Sequence, residues 1–323
     1  TKQSKLSVLV RYSKNRILIS MEVVVEVKDL KKNYEEVEAV KGVSFSVSKG
    51  ELFGLIGPDG AGKTSIFRIL TTLMYPTAGE AKVLNLDVIK DYKSIRNHLG
   101  YMPQRFSLYQ DLSVEENLSF FATIFGTTIE ENYDLIKDIY IQIEPFKDRL
   151  AGRLSGGMKQ KLALSCALIH SPEVLILDEP TTGVDAVSRK EFWEMLIRLK
   201  EKGITILVST PYMDEANLCD RVALIQNGNI MSIDTPENII HSFGRKLWAV
   251  KSDNIYQLIQ DLKQIDCIDT VYPFGEYLHI TSKGNELKPK DIDSILKSQN
   301  HSSIEIKEIQ ANIEDCFMEF MRS

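Results

Sequence analysis

The sequence predicts an α/β protein followed by a smaller α+β domain, on three observations. The first is Gly57-Pro58-Asp59-Gly60-Ala61-Gly62-Lys63-Thr64, a glycine-rich loop between the apolar run 51–56 and a helical stretch. That stretch carries Ile66, Ile69, Leu70 and Leu73 on one side. The second is a pair of continuous apolar runs, 174–177 and 204–208, which read as strands buried on both faces of a parallel sheet. The third is a change of pattern beyond Gly244, where strands and helices follow one another as β-α-β-β-α-β.

A chain of 323 residues is long enough for two domains, and 43% hydrophobic with 26% charged residues is an ordinary globular composition. A net charge of −6 gives no general attraction to nucleic acid or to an anionic membrane surface, so no nucleic-acid partner is expected. No apolar run approaches the roughly 20 residues of a spanning helix. Cys166, Cys219, Cys267 and Cys316 stand far apart without a CxxC pair, which fits reduced, mostly buried thiols rather than disulfides or a metal site. Residues 1–20 are polar, basic and free of motifs, with Met21 as the expected natural start. They are set aside as an expression scar or upstream read-through, with a transit peptide as the alternative.

From Glu22, alternation at Val23, Val25 and Val27 resumes at Val43, Phe45 and Val47, which predicts an antiparallel pair leading into the loop strand. Tyr34 lies in the turn between them. It is placed to stack on a purine, a contact worth ~1–3 kcal/mol, or else is plain surface or core. In the loop itself, the glycines let backbone N–H groups turn inward, where they and the helix start with Ser65 cradle a phosphate chain. Lys63 is placed to reach its outer phosphates and the Thr64 hydroxyl to ligate Mg²⁺. A strand closed by Pro103 then presents Gln104 at the head of a loop. Two amphipathic helices follow, over 113–125 and 130–143, the first opened by a capping box from Ser113 to Glu116.

Leu154-Ser155-Gly156-Gly157-Met158 precedes a helix over 159–169. Ser155 is a natural N-cap and the glycines expose the first N–H groups, so this helix start is either a second anion site or simply a capped helix. The run 174–177 ends in Asp178-Glu179, at the carboxyl end of a buried strand where open α/β sheets bind ligands. Adjacent strand residues point to opposite sides, so the acids have different tasks. Asp178 is assigned to Mg²⁺ and Glu179 to the attacking water as general base; a salt-bridged or solvated pair is the alternative. Asp185 closes a tight loop before a helix over 188–202, and Asn227-Gly228 marks a hairpin.

Together these motifs resemble the ATP-binding subunit of an ABC transporter, over Val23 to about Gly244. The phosphate loop, the Gln104 loop, the signature 154–158, Asp178-Glu179 and the Asp185 loop occur in that family's order. The resemblance implies a RecA-like P-loop NTPase core with an antiparallel β portion around Tyr34 and an inserted helical subdomain at about 105–165. It implies ATP and Mg²⁺ as ligands, with Gln104 near the metal and Asp185 at the nucleotide. It also implies head-to-tail pairing, as a homodimer or with a pseudo-symmetric partner ATPase, in which Ser155, Gly156 and Gly157 of one copy close over ATP held by Lys63 of the other. A membrane permease would hold the subunit at the cytoplasmic face of the membrane.

Two positions depart from the family pattern. Met158 stands where the signature usually has Gln, and Pro211, in Ser209-Thr210-Pro211-Tyr212-Met213-Asp214-Glu215-Ala216, replaces the switch histidine. Proline brings neither a donor nor a titratable group, so hydrolysis resting on Glu179, Lys63 and Gln104 is expected to be weak but real. Beyond Gly244 the element order is ferredoxin-like, and a last helix over 312–322 carries Ile313, Cys316, Phe317, Phe320 and Met321 as one stripe. Residues 313–317 and 209–216 resemble ABC-2 type exporter ATPases, including drug-resistance exporters. The competing readings are a regulatory ATP-binding module with little turnover and a non-transport ABC ATPase acting on DNA or ribosomes.

Overall fold

The computed structural model describes residues 22–284 and 289–322; the expectations for 1–20 and Met21 lie outside them. The chain divides into two compact units between Pro236 and Glu237.

In the first unit, β1 (Val23–Tyr34) and β2 (Val37–Ser48) form the expected antiparallel pair, with Val27 opposite Phe45 and Val25 opposite Val47. β3 (Leu52–Ile56) is buried along its whole length and feeds the glycine loop and α1 (Lys63–Leu70). Next come β4 (Ala78–Val83), β5 (Leu86–Asp87), α2 (Tyr92–His98) and β6 (Leu99–Met102). The helical stretch contains α3 (Val114–Ile124), α4 (Tyr133–Tyr140) and α5 (Gly156–Leu168). β7 (Val174–Asp178), α6 (Ala186–Glu201), β8 (Thr205–Thr210), β9 (Arg221–Gln226) and β10 (Asn229–Asp234) complete the unit.

These strands make two sheets, one in the order β2-β1-β4-β5 and the other in the order β10-β9-β3-β8-β7-β6. In the larger sheet β9, β3, β8, β7 and β6 run parallel, and only β10 is antiparallel. Burial on both faces explains why β7 and β8 are continuous apolar runs. The order also places β8 between β3 and β7, so the loop and the acidic pair leave the same sheet edge one strand apart. The capping box of α3 forms as expected: Ser113 Oγ accepts from Glu116 N and Glu116 answers to Ser113 N. The Asn227-Gly228 hairpin also forms, with both residues at positive φ (49° and 79°). Its turn does more than reverse the chain, because Gly228 N donates to Ala61 O at 3.1 Å and so braces the glycine loop from outside.

The second unit takes in α7 (Pro236–Ser242) from Glu237 onward, ahead of the Gly244 boundary expected from sequence. The reason is packing: Ile239 is buried, and its carbonyl accepts from Cys316 Sγ at 3.4 Å. β11 (Leu247–Lys251), α8 (Ile255–Lys263), β12 (Ile268–Phe274), β13 (Tyr277–Ser282), α9 (Pro289–Ser298) and β14 (Glu305–Ile309) follow in the expected β-α-β-β-α-β order. They form one antiparallel sheet in the order β12-β13-β11-β14. α10 (Ile313–Phe320) begins with a capping box between Asn312 and Asp315, and it buries Ile313, Cys316 and Phe317 of the expected stripe while Met321 stays exposed. All four cysteines are free thiols, and Cys267 is exposed.

Within this unit Asp269 is held between Arg245 and Arg322, at 2.6 Å and 3.0 Å. Hydrogen bonds from Arg322 and then Arg245 push its carboxyl well below the usual carboxylate range. A depressed acid stabilises the folded state above its unfolded pKa, near 4, and that contribution fades as pH falls toward the folded value. Asp269→Asn is therefore expected to lower the melting temperature at pH 7, with the gap from wild type closing as the pH is taken below about 4. A gap that is constant from pH 7 to pH 2 would contradict the assignment.

Candidate nucleotide-binding site

The site is built at the carboxyl ends of β3, β7 and β8. Gly62 supplies the N-cap of α1 at φ 106°, and a Cβ there would lie 2.5 Å from Ala39 O, so only glycine fits. No side chain caps this helix, which leaves its first N–H groups turned toward a ligand, as an anion site requires. Pro58, Asp59, Gly60, Ala61, Thr64 and Ser65 line the same turn, with Asp59 and Gly60 exposed.

Lys63 is turned inward. Its side chain is 2% exposed and folds back onto the loop, donating to Gly57 O at 2.7 Å and Pro58 O at 2.9 Å. It also forms an ion pair with Glu179 Oε1 at 3.0 Å. Of the two acids, Glu179 is thus salt-bridged, with Lys63 as its partner. Glu179 Oε2 accepts from Gln104 Nε2 at 2.7 Å and from Thr182 Oγ1 at 3.3 Å. Lys63, Gln104 and Glu179 therefore form one cluster although they come from three distant stretches of chain. Gln104 faces Glu179 through its amide nitrogen.

Asp178 lies in the interior beside Glu179. Its Oδ1 accepts from Ser209 Oγ at 2.7 Å and from Thr64 Oγ1 at 3.2 Å, whereas its buried Oδ2 has no hydrogen-bond partner. Burial raises the Asp178 carboxyl above its ordinary value, against the two hydroxyls that lower it. A buried carboxylate with a spare oxygen next to a threonine hydroxyl fits a hard cation that takes its other oxygens from phosphates and water. Among the described residues no cluster of three or more His, Cys, Asp or Glu side chains could hold a metal by themselves.

Sequence reasoning missed Ser209. Its hydroxyl donates to Asp178 and accepts from Glu179 N at 3.0 Å, and the Glu179 N–H is also bound to Ser209 O at 3.1 Å. These contacts hold Glu179 at φ 49°, a conformation that costs a non-glycine residue about 1–3 kcal/mol and persists only where neighbours enforce it. The pairing of Asp178 with Ser209 across β7 and β8 was not visible in either strand alone.

Tyr34 is 41% exposed, and its hydroxyl lies 3.1 Å from Ser65 Oγ and 2.9 Å from Met74 Sδ. These contacts tether it to the helix that carries the loop and leave its ring accessible. The signature residues open α5. Ser155 Oγ accepts from Met158 N at 3.4 Å, and Ser155 and Gly156 are exposed. A Cβ on Gly157 would come 2.9 Å from Ser188 Oγ, so this glycine also answers to close packing of α5 on α6. Asp185 caps α6, accepting from Val187 N and Ser188 N at 3.1 and 3.0 Å, a structural task that sequence reasoning had not assigned to it. Pro211 follows β8 directly and brings no donor to the site.

The comparisons agree with this geometry. Residues 40–182 match the ABC transporter family model. The chain is 34% identical over 303 residues to the Nod factor export ATP-binding protein I of Burkholderia thailandensis, covering 91% of this chain and 95% of that protein. The chain belongs to the ABC transporter family. It is also 41% identical over 220 residues to "Probable multidrug ABC transporter ATP-binding protein YbhF" of Escherichia coli, where the match covers 68% of this chain but only 38% of that longer relative. Among solved structures, an ATP-binding subunit of an ABC transporter superposes with a TM-score of 0.63 at 29% identity, over 68% of this chain and 93% of that one. A dimeric ATP-binding cassette in a post-hydrolysis state, bound to ADP and Pi, superposes with a TM-score of 0.59 at 26% identity, over 65% of this chain and 98% of that one. The first unit is therefore an ABC-type P-loop NTPase cassette. Among the described residues no helix is long and apolar enough to cross a membrane.

Proposed function

We propose that the chain is the ATP-binding and ATP-hydrolysing motor subunit of an exporter. It acts as a head-to-tail pair and drives a separate permease of the ABC-2 type from the cytoplasmic face of the membrane. The observation that carries the reading is the convergence of Lys63, Gln104 and Glu179 beside Thr64 and Asp178 at one end of a parallel sheet. The relatives named for export and multidrug transport support the direction, and the dimeric cassette supports the pairing.

In this reading the α1 start, the loop amides and Lys63 hold the phosphates, and the Tyr34 ring meets the base. Thr64 and Asp178 would hold Mg²⁺, with Gln104 joining from its loop, and the ion would supply positive charge to offset that of the phosphates. Glu179 takes the proton from the water that attacks the γ-phosphate. Lys63 must first leave Gly57 O, Pro58 O and Glu179, which couples nucleotide arrival to release of the base. Ser155, Gly156 and Gly157 of the second copy close the pocket, with Asp185 at the seam. The second unit is a ferredoxin-like accessory domain, supported by its strand order β12-β13-β11-β14.

Purified protein is expected to release phosphate from Mg²⁺-ATP slowly, and faster when reconstituted with its permease. Removal of Mg²⁺ by EDTA is expected to abolish turnover. The regulatory reading draws on Pro211 and on the Lys63–Glu179 pair; ATP binding without phosphate release, with or without the permease, would establish it and overturn the motor reading. Stimulation of turnover by nucleic acid would instead favour a non-transport ATPase.

A further inference from the structure

We infer that Glu215 is a positioning residue for ATP hydrolysis, holding the loop that aims Glu179; this rests on the reading of Glu179 as the base. Glu215 is 2% exposed and lies in a short 3-10 helix, Met213–Leu218, beyond the Pro211 turn. Its carboxylate accepts from Thr181 Oγ1 at 2.9 Å and from Thr210 Oγ1 at 2.5 Å, with Arg189 Nε at 3.8 Å. Thr181 belongs to the turn that leaves β7, in which Thr182 N donates back to Glu179 O and Val184 N to Thr181 O. Thr210 ends β8, and its carbonyl accepts from Gly57 N, the first amide of the phosphate loop, at 3.2 Å. One buried carboxylate thus fastens the exit of the strand that carries the base to the exit of the strand that braces the phosphate loop.

Glu179 needs such support because its φ of 49° is not one a glutamate keeps unaided. Its N–H is fixed by Ser209, and its carbonyl accepts from Thr182 N within the turn that Thr181 anchors. Pro211 sharpens the requirement. With no N–H and no polar side chain at that position, the turn after β8 is held by its neighbours: Tyr212 N donates to Thr210 Oγ1 at 3.0 Å, and the Arg189 guanidinium lies 5.0 Å over the Tyr212 ring. Loss of the Glu215 carboxylate would leave the Thr181 and Thr210 hydroxyls buried without it and free the turn to shift.

The test is steady-state phosphate release, fluorescent-ATP affinity and melting temperature for the full chain carrying Glu215→Ala, Glu215→Gln or Thr181→Val. Glu215→Ala is expected to lower kcat roughly tenfold to a hundredfold, the scale of a misplacement of about 1 Å, with KM and nucleotide affinity essentially kept. Glu215→Gln, whose amide still reaches both hydroxyls, is expected to restore most of kcat. Thr181→Val is expected to lower kcat in the same way, and to add little on top of Glu215→Ala because the two act as one unit. Wild-type kcat in folded Glu215→Ala overturns the inference while leaving the motor reading intact. So does a fall shared equally by the Ala and Gln variants that tracks melting temperature alone. Should Glu215→Ala fail to fold, wild-type kcat in Thr181→Val overturns it equally. Absence of phosphate release from the wild type overturns the motor reading and this inference together.

Discussion

Glu179→Gln is expected to lower ATP turnover by roughly 10²–10⁴-fold, the range a positioned general base supplies, and at the same time to tighten ATP binding. The first effect follows from removing the proton acceptor. The second follows from the ion pair with Lys63: the 3.0 Å contact to Glu179 occupies the ammonium that the phosphates require. A neutral glutamine keeps the size of the side chain but holds Lys63 less firmly, so less is lost when Lys63 turns to the ligand. Phosphate release and a fluorescent-ATP titration read the two effects separately. An unchanged rate would remove the base assignment, and weaker binding would show that the pair does not compete with nucleotide.

Lys63→Ala is expected to abolish nucleotide binding and also to destabilise the ligand-free protein. Glu179 is 4% exposed, and without Lys63 its charge would be met only by the Gln104 amide and the Thr182 hydroxyl. Removing one member of a buried ion pair costs about 3–5 kcal/mol. For a unit of this size that corresponds to a fall of roughly 10 °C in melting temperature. Pairing the change with Glu179→Gln removes the stranded charge and is expected to return most of that loss. Calorimetry without nucleotide decides the matter. A Lys63→Ala protein that melts with the wild type would mean that Glu179 does not depend on Lys63 in solution.

Much of the site was legible because each motif carries its own local physics. The loop 57–64 reads from glycine spacing between a strand and a helix, and the Ser113 box and the Asn227-Gly228 hairpin read from rules that span a few residues. The Asp178-Glu179 strand end was equally plain, since burial on both faces writes itself into composition. Ser209 and Glu215 escaped because their importance lies in pairings across strands. A serine at the end of an apolar run carries no mark until β8 is placed against β7. Likewise, a glutamate in Met213–Leu218 reads as a surface residue until both of its hydroxyl partners are known. The boundary near Gly244 moved for a similar reason, because the contact between Ile239 and Cys316 joins residues far apart in the chain.

What the sequence determined by itself was the set of elements and the chemistry each strand end and helix start could offer, because hydrophobic period, caps and turn residues act over short stretches. What only the tertiary structure decided was which of those groups meet and in what state. Lys63 lies against Glu179, Gln104 donates to the same carboxylate, and Asp178 keeps one oxygen bare. The order of strands in the larger sheet makes that selection. Charges brought out of water at one sheet edge must find partners there, and the partners available are fixed by which strands are neighbours.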